Sequence, residues 1–177
     1  RQAMDVVTTT LDGVLIATPP TIFTDHRGTY VEIYNQSLYA AAGIDQNFIQ
    51  DDISVSRRHV LRGLHGDDKT WKLVSCIEGA LLLAVVNFDV GSDQYLRWET
   101  FELTEENRLQ VLIPAGFANG HLILSDRAIF SYKQTELYDG KSQFTICWDD
   151  PVLGIDWPIT DPILSERDRN AAYMEAR

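Results

Sequence analysis

Tyr30-Val31-Glu32-Ile33-Tyr34 alternates between two faces, and the same period of two returns at Ile49 to Val55, Trp71 to Ile77, Trp98 to Leu103, Leu109 to Ile113, Ile129 to Lys133 and Phe144 to Trp148. An extended chain sends successive side chains to opposite sides, so these segments predict strands. Gly13, Gly28, Gly63, Gly79, Gly91, Gly116, Gly120 and Gly140 fall between or beside them as turn punctuation. Helix is scarce. One short helix is expected from Gln36 to Ala42, with Asn35 as N-cap and Gly43 as its stop, and a second from Ser165 to the end. Many short strands with close turns and peripheral helices read as an all-β sandwich or jelly roll.

The 177 residues suit one domain covering 1–177, and 45% apolar with 23% charged residues is enough to bury a core. A net charge of −11 excludes a surface built to neutralise nucleic acid or an anionic membrane. Apolar runs such as Ala80 to Val86 are too short to cross a bilayer. Arg1-Gln2-Ala3-Met4 has no apolar signal core behind it, so the cytoplasm is the expected compartment. Cys76 and Cys147 sit in apolar alternating segments and read as core thiols rather than a disulfide or zinc pair. Arg57, Arg58, Arg62, Lys69 and Lys72 gather positive charge within an acidic chain. They suggest a local anion site, with a solvated loop balanced by Asp67 and Asp68 as the plainer alternative.

Val60-Leu61-Arg62-Gly63-Leu64-His65-Gly66 followed by Lys72-Leu73-Val74 resembles the nucleotide-sugar 3,5-epimerases of the dTDP-4-dehydrorhamnose epimerase type. In the same order come Phe23-x-Asp25-x-Arg27-Gly28, Gln50-Asp51, Pro114-x-Gly116-Phe117-Ala118, Tyr132-Lys133, Trp148-x-Asp150, Trp157-Pro158 and Leu164-Ser165-Glu166-Arg167-Asp168. The resemblance runs from about residue 11 to residue 168 and implies a cupin-type jelly-roll barrel that acts without metal or cofactor. It also implies a nucleoside-diphosphate sugar as ligand and a C2 homodimer formed by pairing of sheets.

The reaction implied is inversion beside the C4 ketone of a nucleoside-diphosphate-4-keto sugar. That ketone acidifies the hydrogens on C3 and C5, so a base can remove one if the enolate is stabilised. The resemblance makes His65 the base, and an imidazole with a reference pKa of about 6.5 leaves a neutral acceptor at pH 7. It makes Asp168 the carboxylate that orients His65, although Ser165-x-x-Asp168 also fits a helix N-cap pattern. Lys72 would stabilise the enolate oxygen, and Tyr132 would be the acid on the opposite face. Arg27, Arg62 and Arg167 match diphosphate-binding positions, where guanidinium groups make paired contacts. Glu32, Gln50, Asp52 and Tyr138 match positions near the nucleotide and sugar.

The chain departs from the family at several points. Asn119-Gly120-His121 stands where His-Gly-Phe is usual, Leu83 replaces an acidic residue, Asp52 replaces an asparagine, and Gly66-Asp67-Asp68 replaces an aromatic-glutamine segment. Asn119 and His121 therefore join the candidate substrate-binding residues. An altered pocket around retained chemistry suggests another sugar or nucleotide, with GDP-4-keto heptoses expected ahead of dTDP-4-keto-6-deoxyhexoses, and inversion at C3, C5 or both left open. A metal cupin is not expected, because Leu64 and Gly66 flank a single His65 and no His-x-His pair is present there. The alternatives are a 4-keto-sugar ketoisomerase and a non-catalytic nucleotide-sugar binding protein.

Overall fold

The computed structural model describes residues 3–20 and 22–175. Its strands are β1 (Asp5–Thr8), β2 (Leu15–Thr18), β3 (Ile22–Asp25), β4 (Gly28–Val31), β5 (Gln50–Arg57), β6 (Leu61–Gly66), β7 (Lys72–Glu78), β8 (Ala80–Asn87), β9 (Trp98–Thr104), β10 (Gln110–Ile113), β11 (Phe117–Ile123), β12 (Arg127–Gln134) and β13 (Phe144–Thr145). A six-stranded antiparallel sheet runs β1-β2-β10-β7-β12-β5, and a five-stranded one runs β13-β6-β11-β8-β9. The two face each other as a cupin-like jelly roll, the all-β architecture expected from the alternation.

Alternation explains the layers. On β7, Val74 and Cys76 point into the space between the sheets, where they meet Leu83, Val85 and Phe130. Leu73 points the other way, under Tyr39 and Ile44. The run Ala80 to Val86 does not alternate in polarity because β8 is buried on both faces. Leu81, Leu83 and Val85 join the central core, while Ala84 and Val86 meet Ile146, Leu153, Ile155 and Trp157 on the outside.

Helix α1 (Gln36–Ala41) forms as expected, with Asn35 accepting the Leu38 N–H at its start and Gly43 at φ +96° just beyond it. Three expectations are corrected. The strand read at Tyr30 to Tyr34 ends at Val31, because Tyr34 turns inward to meet Tyr39 edge-on at 5.0 Å. That strand pairs only with β3, in a hairpin outside both sheets whose Phe23 and Tyr30 are exposed. The strand read at Phe144 to Trp148 is shortened to Phe144–Thr145, with Ile146 still exchanging backbone hydrogen bonds with Leu64 at 2.9 and 3.1 Å before the chain turns around buried Asp150. The helix expected from Ser165 onward is α2 (Glu166–Arg169), which stops at Asn170; the chain beyond is tied by the Met174 N–H to Asp150 at 2.7 Å. Among the described residues no helix is long and apolar enough to cross a membrane.

Candidate active site

Strands β6 and β11 form one wall of the site. His65 lies opposite Asn119 and Arg62 opposite His121, with a register shift between the two pairs. Arg62 and His65 are three residues apart, so strict alternation would face them oppositely; the bulge turns both inward. The shift is permitted by two glycines in contact. A Cβ on Gly63, at φ +127°, would lie 2.6 Å from Gly120 Cα, and one on Gly120 would lie 2.9 Å from the Arg62 carbonyl oxygen. The facing wall comes from β7, β12 and β5, whose inward positions carry Lys72, Tyr132, Gln134 and Ser54.

Between these walls is a cavity of about 660 Å³. It gathers His65, Lys72, Tyr132 and Asp168, together with Arg62, Asn119, His121, Tyr138 and Arg167. His65 Nε2 lies 2.6 Å from Asp168 Oδ1, and the Gly63 N–H donates to Asp168 Oδ2 at 3.1 Å. Burial pushes the Asp168 carboxyl up, but the bonds from His65 and Gly63 outweigh it and hold the group below the ordinary carboxylate value. An ionised carboxylate only accepts, so Nε2 carries the proton and Nδ1 is left with the free electron pair.

The Lys72 ammonium has no ion pair or hydrogen bond among the described residues. Burial lowers its pKa from the ordinary value, with Asp67 acting in the opposite sense. Asp67 is buried and shapes the loop beside it, accepting the Lys69 and Thr70 N–H groups at 2.9 and 2.7 Å and the Gln143 amide at 3.0 Å. Burial, and then Asp52 and Tyr138, raise the Tyr132 phenol above its ordinary pKa and keep it protonated. Arg62 Nε donates to Ser56 Oγ at 2.9 Å, Arg167 Nε donates to Thr145 Oγ1 at 2.7 Å, and Tyr138 is 61% exposed at the mouth.

Four sequence candidates do not line the cavity. Arg27 is exposed on the β3–β4 hairpin and paired with Asp25 at 2.7 Å. Glu32 accepts from Asn35 beside α1. Gln50 and Asp52 share the inward face of β5 with Ser54 and brace the residues around the cavity: Gln50 Oε1 accepts the Tyr138 N–H at 3.0 Å, and Asp52 Oδ2 accepts the side-chain amides of Gln50 and Gln134, each at 2.7 Å. The basic cluster divides as well. Arg62 and Lys72 face the cavity, Arg58 pairs with Asp126 at the surface, and Arg57 and Lys69 are exposed. Sequence reasoning passed over Ser54, Gln134 and Gln143, which line the cavity. Period two could have found the first two, since Ser54 shares a face with Asp52, and Gln134 with Tyr132. Among the described residues no group of three His, Cys, Asp or Glu side chains is placed to hold a metal ion.

A family model described as dTDP-4-dehydrorhamnose 3,5-epimerase matches residues 8–176. The dTDP-4-dehydrorhamnose 3,5-epimerase of Methanothermobacter thermautotrophicus is 43% identical over 169 residues, 93% of this chain and 91% of the relative. The crystal structure of dTDP-6-deoxy-D-glucose-3,5-epimerase from Legionella pneumophila Philadelphia 1, in complex with dTDP-4-keto-L-rhamnose, aligns with a TM-score of 0.90 at 37% identity, covering 96% of this chain and 92% of that one. A 3'-monoepimerase from Streptomyces bikiniensis in complex with dTDP-quinovose aligns with a TM-score of 0.86 at 33% identity, covering 93% of this chain and 85% of that one. The GDP-4-keto-heptose branch expected from the pocket departures finds no support among these relatives, which are dTDP-sugar epimerases.

Proposed function

The chain belongs to the dTDP-4-dehydrorhamnose 3,5-epimerase family and is an epimerase of nucleoside-diphosphate-4-keto sugars, and from that premise we propose that it acts on a dTDP-linked 4-keto-6-deoxyhexose with His65 as base and Tyr132 as acid. The observation that carries the assignment is the 2.6 Å contact between His65 and Asp168 across a cavity from a protonated phenol. His65 Nδ1 takes the proton beside the ketone, and Asp168 stabilises the imidazolium that forms. The unpaired Lys72 ammonium faces the negative charge that develops on the ketone oxygen. Tyr132 returns a proton from the other face and inverts the carbon. Arg62 and Arg167 hold the diphosphate, and Asn119 and Tyr138 border the sugar.

We also propose a homodimer. The outer face of the six-stranded sheet exposes Ile53, Val55 and Ile77, and such an apolar patch fits contact with a second sheet. In a dimer the exposed β3–β4 hairpin could carry Arg27 and Phe23 to the partner's cavity, which reconciles a nucleotide-binding residue with its distance from its own site.

Proton exchange in D2O tests the chemistry. The protein is incubated with dTDP-4-keto-6-deoxyglucose and, separately, a GDP-linked 4-keto heptose, and the C3 and C5 hydrogens are followed by NMR. Deuterium entering C3, C5 or both of the dTDP sugar is the expected result and names the carbon; exchange with the GDP sugar alone would overturn the nucleotide assignment. The His65→Asn variant is expected to lose turnover while still binding dTDP, and unchanged turnover would remove His65 as base.

A further inference from the structure

Three buried side-chain polar atoms have no hydrogen-bond partner among the described residues: Gln46 Oε1, Ser54 Oγ and His121 Nε2. Two of these residues, Ser54 and His121, line the cavity that holds His65 and Tyr132. Buried polar groups are nearly always paired, so two orphans in one ligand cavity point to a partner that arrives with the ligand.

Both sit beside Phe130. Ser54 on β5 is the register partner of Phe130 on β12. The Phe130 ring stacks on His121, with centroids 4.0 Å apart and planes at 23°. On β11, His121 lies between Leu83 on one neighbouring strand and Arg62 on the other. Burial, then the Arg62 and His65 charges, push the His121 pKa down to about 3. The imidazole is therefore neutral in the working range, with one N–H donor and one acceptor nitrogen. The Ser54 hydroxyl also donates and accepts.

A sugar hydroxyl, which donates and accepts, can pair with both whichever tautomer His121 takes; a phosphate or ketone oxygen can do so only when Nε2 carries the proton, and a methyl group not at all. We infer that Ser54 and His121 form a neutral hydrogen-bonding subsite for a hydroxyl group of the substrate's sugar. The inference rests on the reading of the cavity as a nucleotide-sugar site, and it makes the subsite a determinant of which sugars are accepted.

Equilibrium binding separates this from turnover. Calorimetry compares wild type, Ser54→Ala and His121→Phe, each titrated with dTDP-6-deoxyglucose, its 2-deoxy and 3-deoxy counterparts, and dTDP-glucose, which adds the C6 hydroxyl. For one of these hydroxyls, its removal is expected to weaken wild-type binding about tenfold and to weaken the two variants no further. If every hydroxyl contributes the same factor in all three proteins, the orphan atoms serve a water or the fold and the subsite is overturned. Should His121→Phe not fold, Ser54→Ala decides alone. Absence of wild-type deuterium exchange would remove the epimerase reading and leave this binding comparison standing.

Discussion

One carboxyl oxygen of Asp168 meets His65 while the other accepts the Gly63 N–H, so the group proposed to orient the base also straps α2 to β6. Its folded pKa is depressed, because the bonds it accepts outweigh burial. The stability this contributes is present above the ordinary carboxyl value of about 3.9 and is lost as pH falls through the lower folded value. Asp168→Asn keeps an acceptor for Gly63 but offers His65 no charge. Turnover should fall about 100- to 1000-fold, and Tm measured from pH 3 to pH 7 should lose part of its acid-side decline. A decline identical to wild type would place the acid sensitivity elsewhere. Tyr132 supports a different readout. With Phe at this position His65 can still remove the proton and return it to the same face. Tyr132→Phe should therefore let deuterium enter from D2O while product of inverted configuration, separated by NMR, drops at least about 100-fold. Equal loss of exchange and inversion would mean that the phenol is needed for abstraction as well.

The contact between Gly63 and Gly120 joins β6 to β11 and places two side chains of the site. Gly63→Ala would set a Cβ 2.6 Å from Gly120 Cα and 2.8 Å from the Asn119 carbonyl oxygen, at a φ of +127° that side chains avoid. Overpacking and backbone strain together should cost about 3 kcal/mol, a Tm fall of about 6–12 °C for a domain of this size. Gly120→Ala, without the positive φ, should cost less; calorimetric melting of the two variants checks the order. This bulge also marks the limit of what period two could reveal. β9 and β12 were legible because each has one face in the core and one outside it. β6 was legible only as a motif, because the register shift breaks its alternation and turns Arg62 and His65 the same way. β8 lacks alternation because both its faces are buried. The pairing of His65 with Asp168 spans 103 residues and has no local signature; the family motif alone placed the two together. Period two puts Ser54 on the face of Asp52, but a serine there looks the same whether its hydroxyl meets solvent or a ligand cavity.

Across the whole molecule, the proposed homodimer would account for two features outside the cavity. The outer face of the six-stranded sheet leaves Ile53 63% and Val55 48% exposed, and the β3–β4 hairpin leaves Phe23 64% and Tyr30 67% exposed. A net charge of −11 keeps copies apart at long range, so a dimer would have to be driven by burial of such apolar surface. Sedimentation of the wild type should give about 40 kDa, twice the 20.1 kDa chain. The double variant Ile53→Asp, Val55→Asp puts like charges in that face beside Asp51 and should sediment as a single chain. Arg27 then separates a dimer that completes the site from one that merely forms. In the dimeric background Arg27→Ala should weaken dTDP binding about tenfold, the equivalent of about 1.4 kcal/mol for a lost charge-assisted contact. In the monomeric background the same substitution should change nothing, because the hairpin no longer reaches another cavity. Equal losses in both backgrounds would return Arg27 to its own protomer's site, and no loss in either would leave it a surface partner of Asp25.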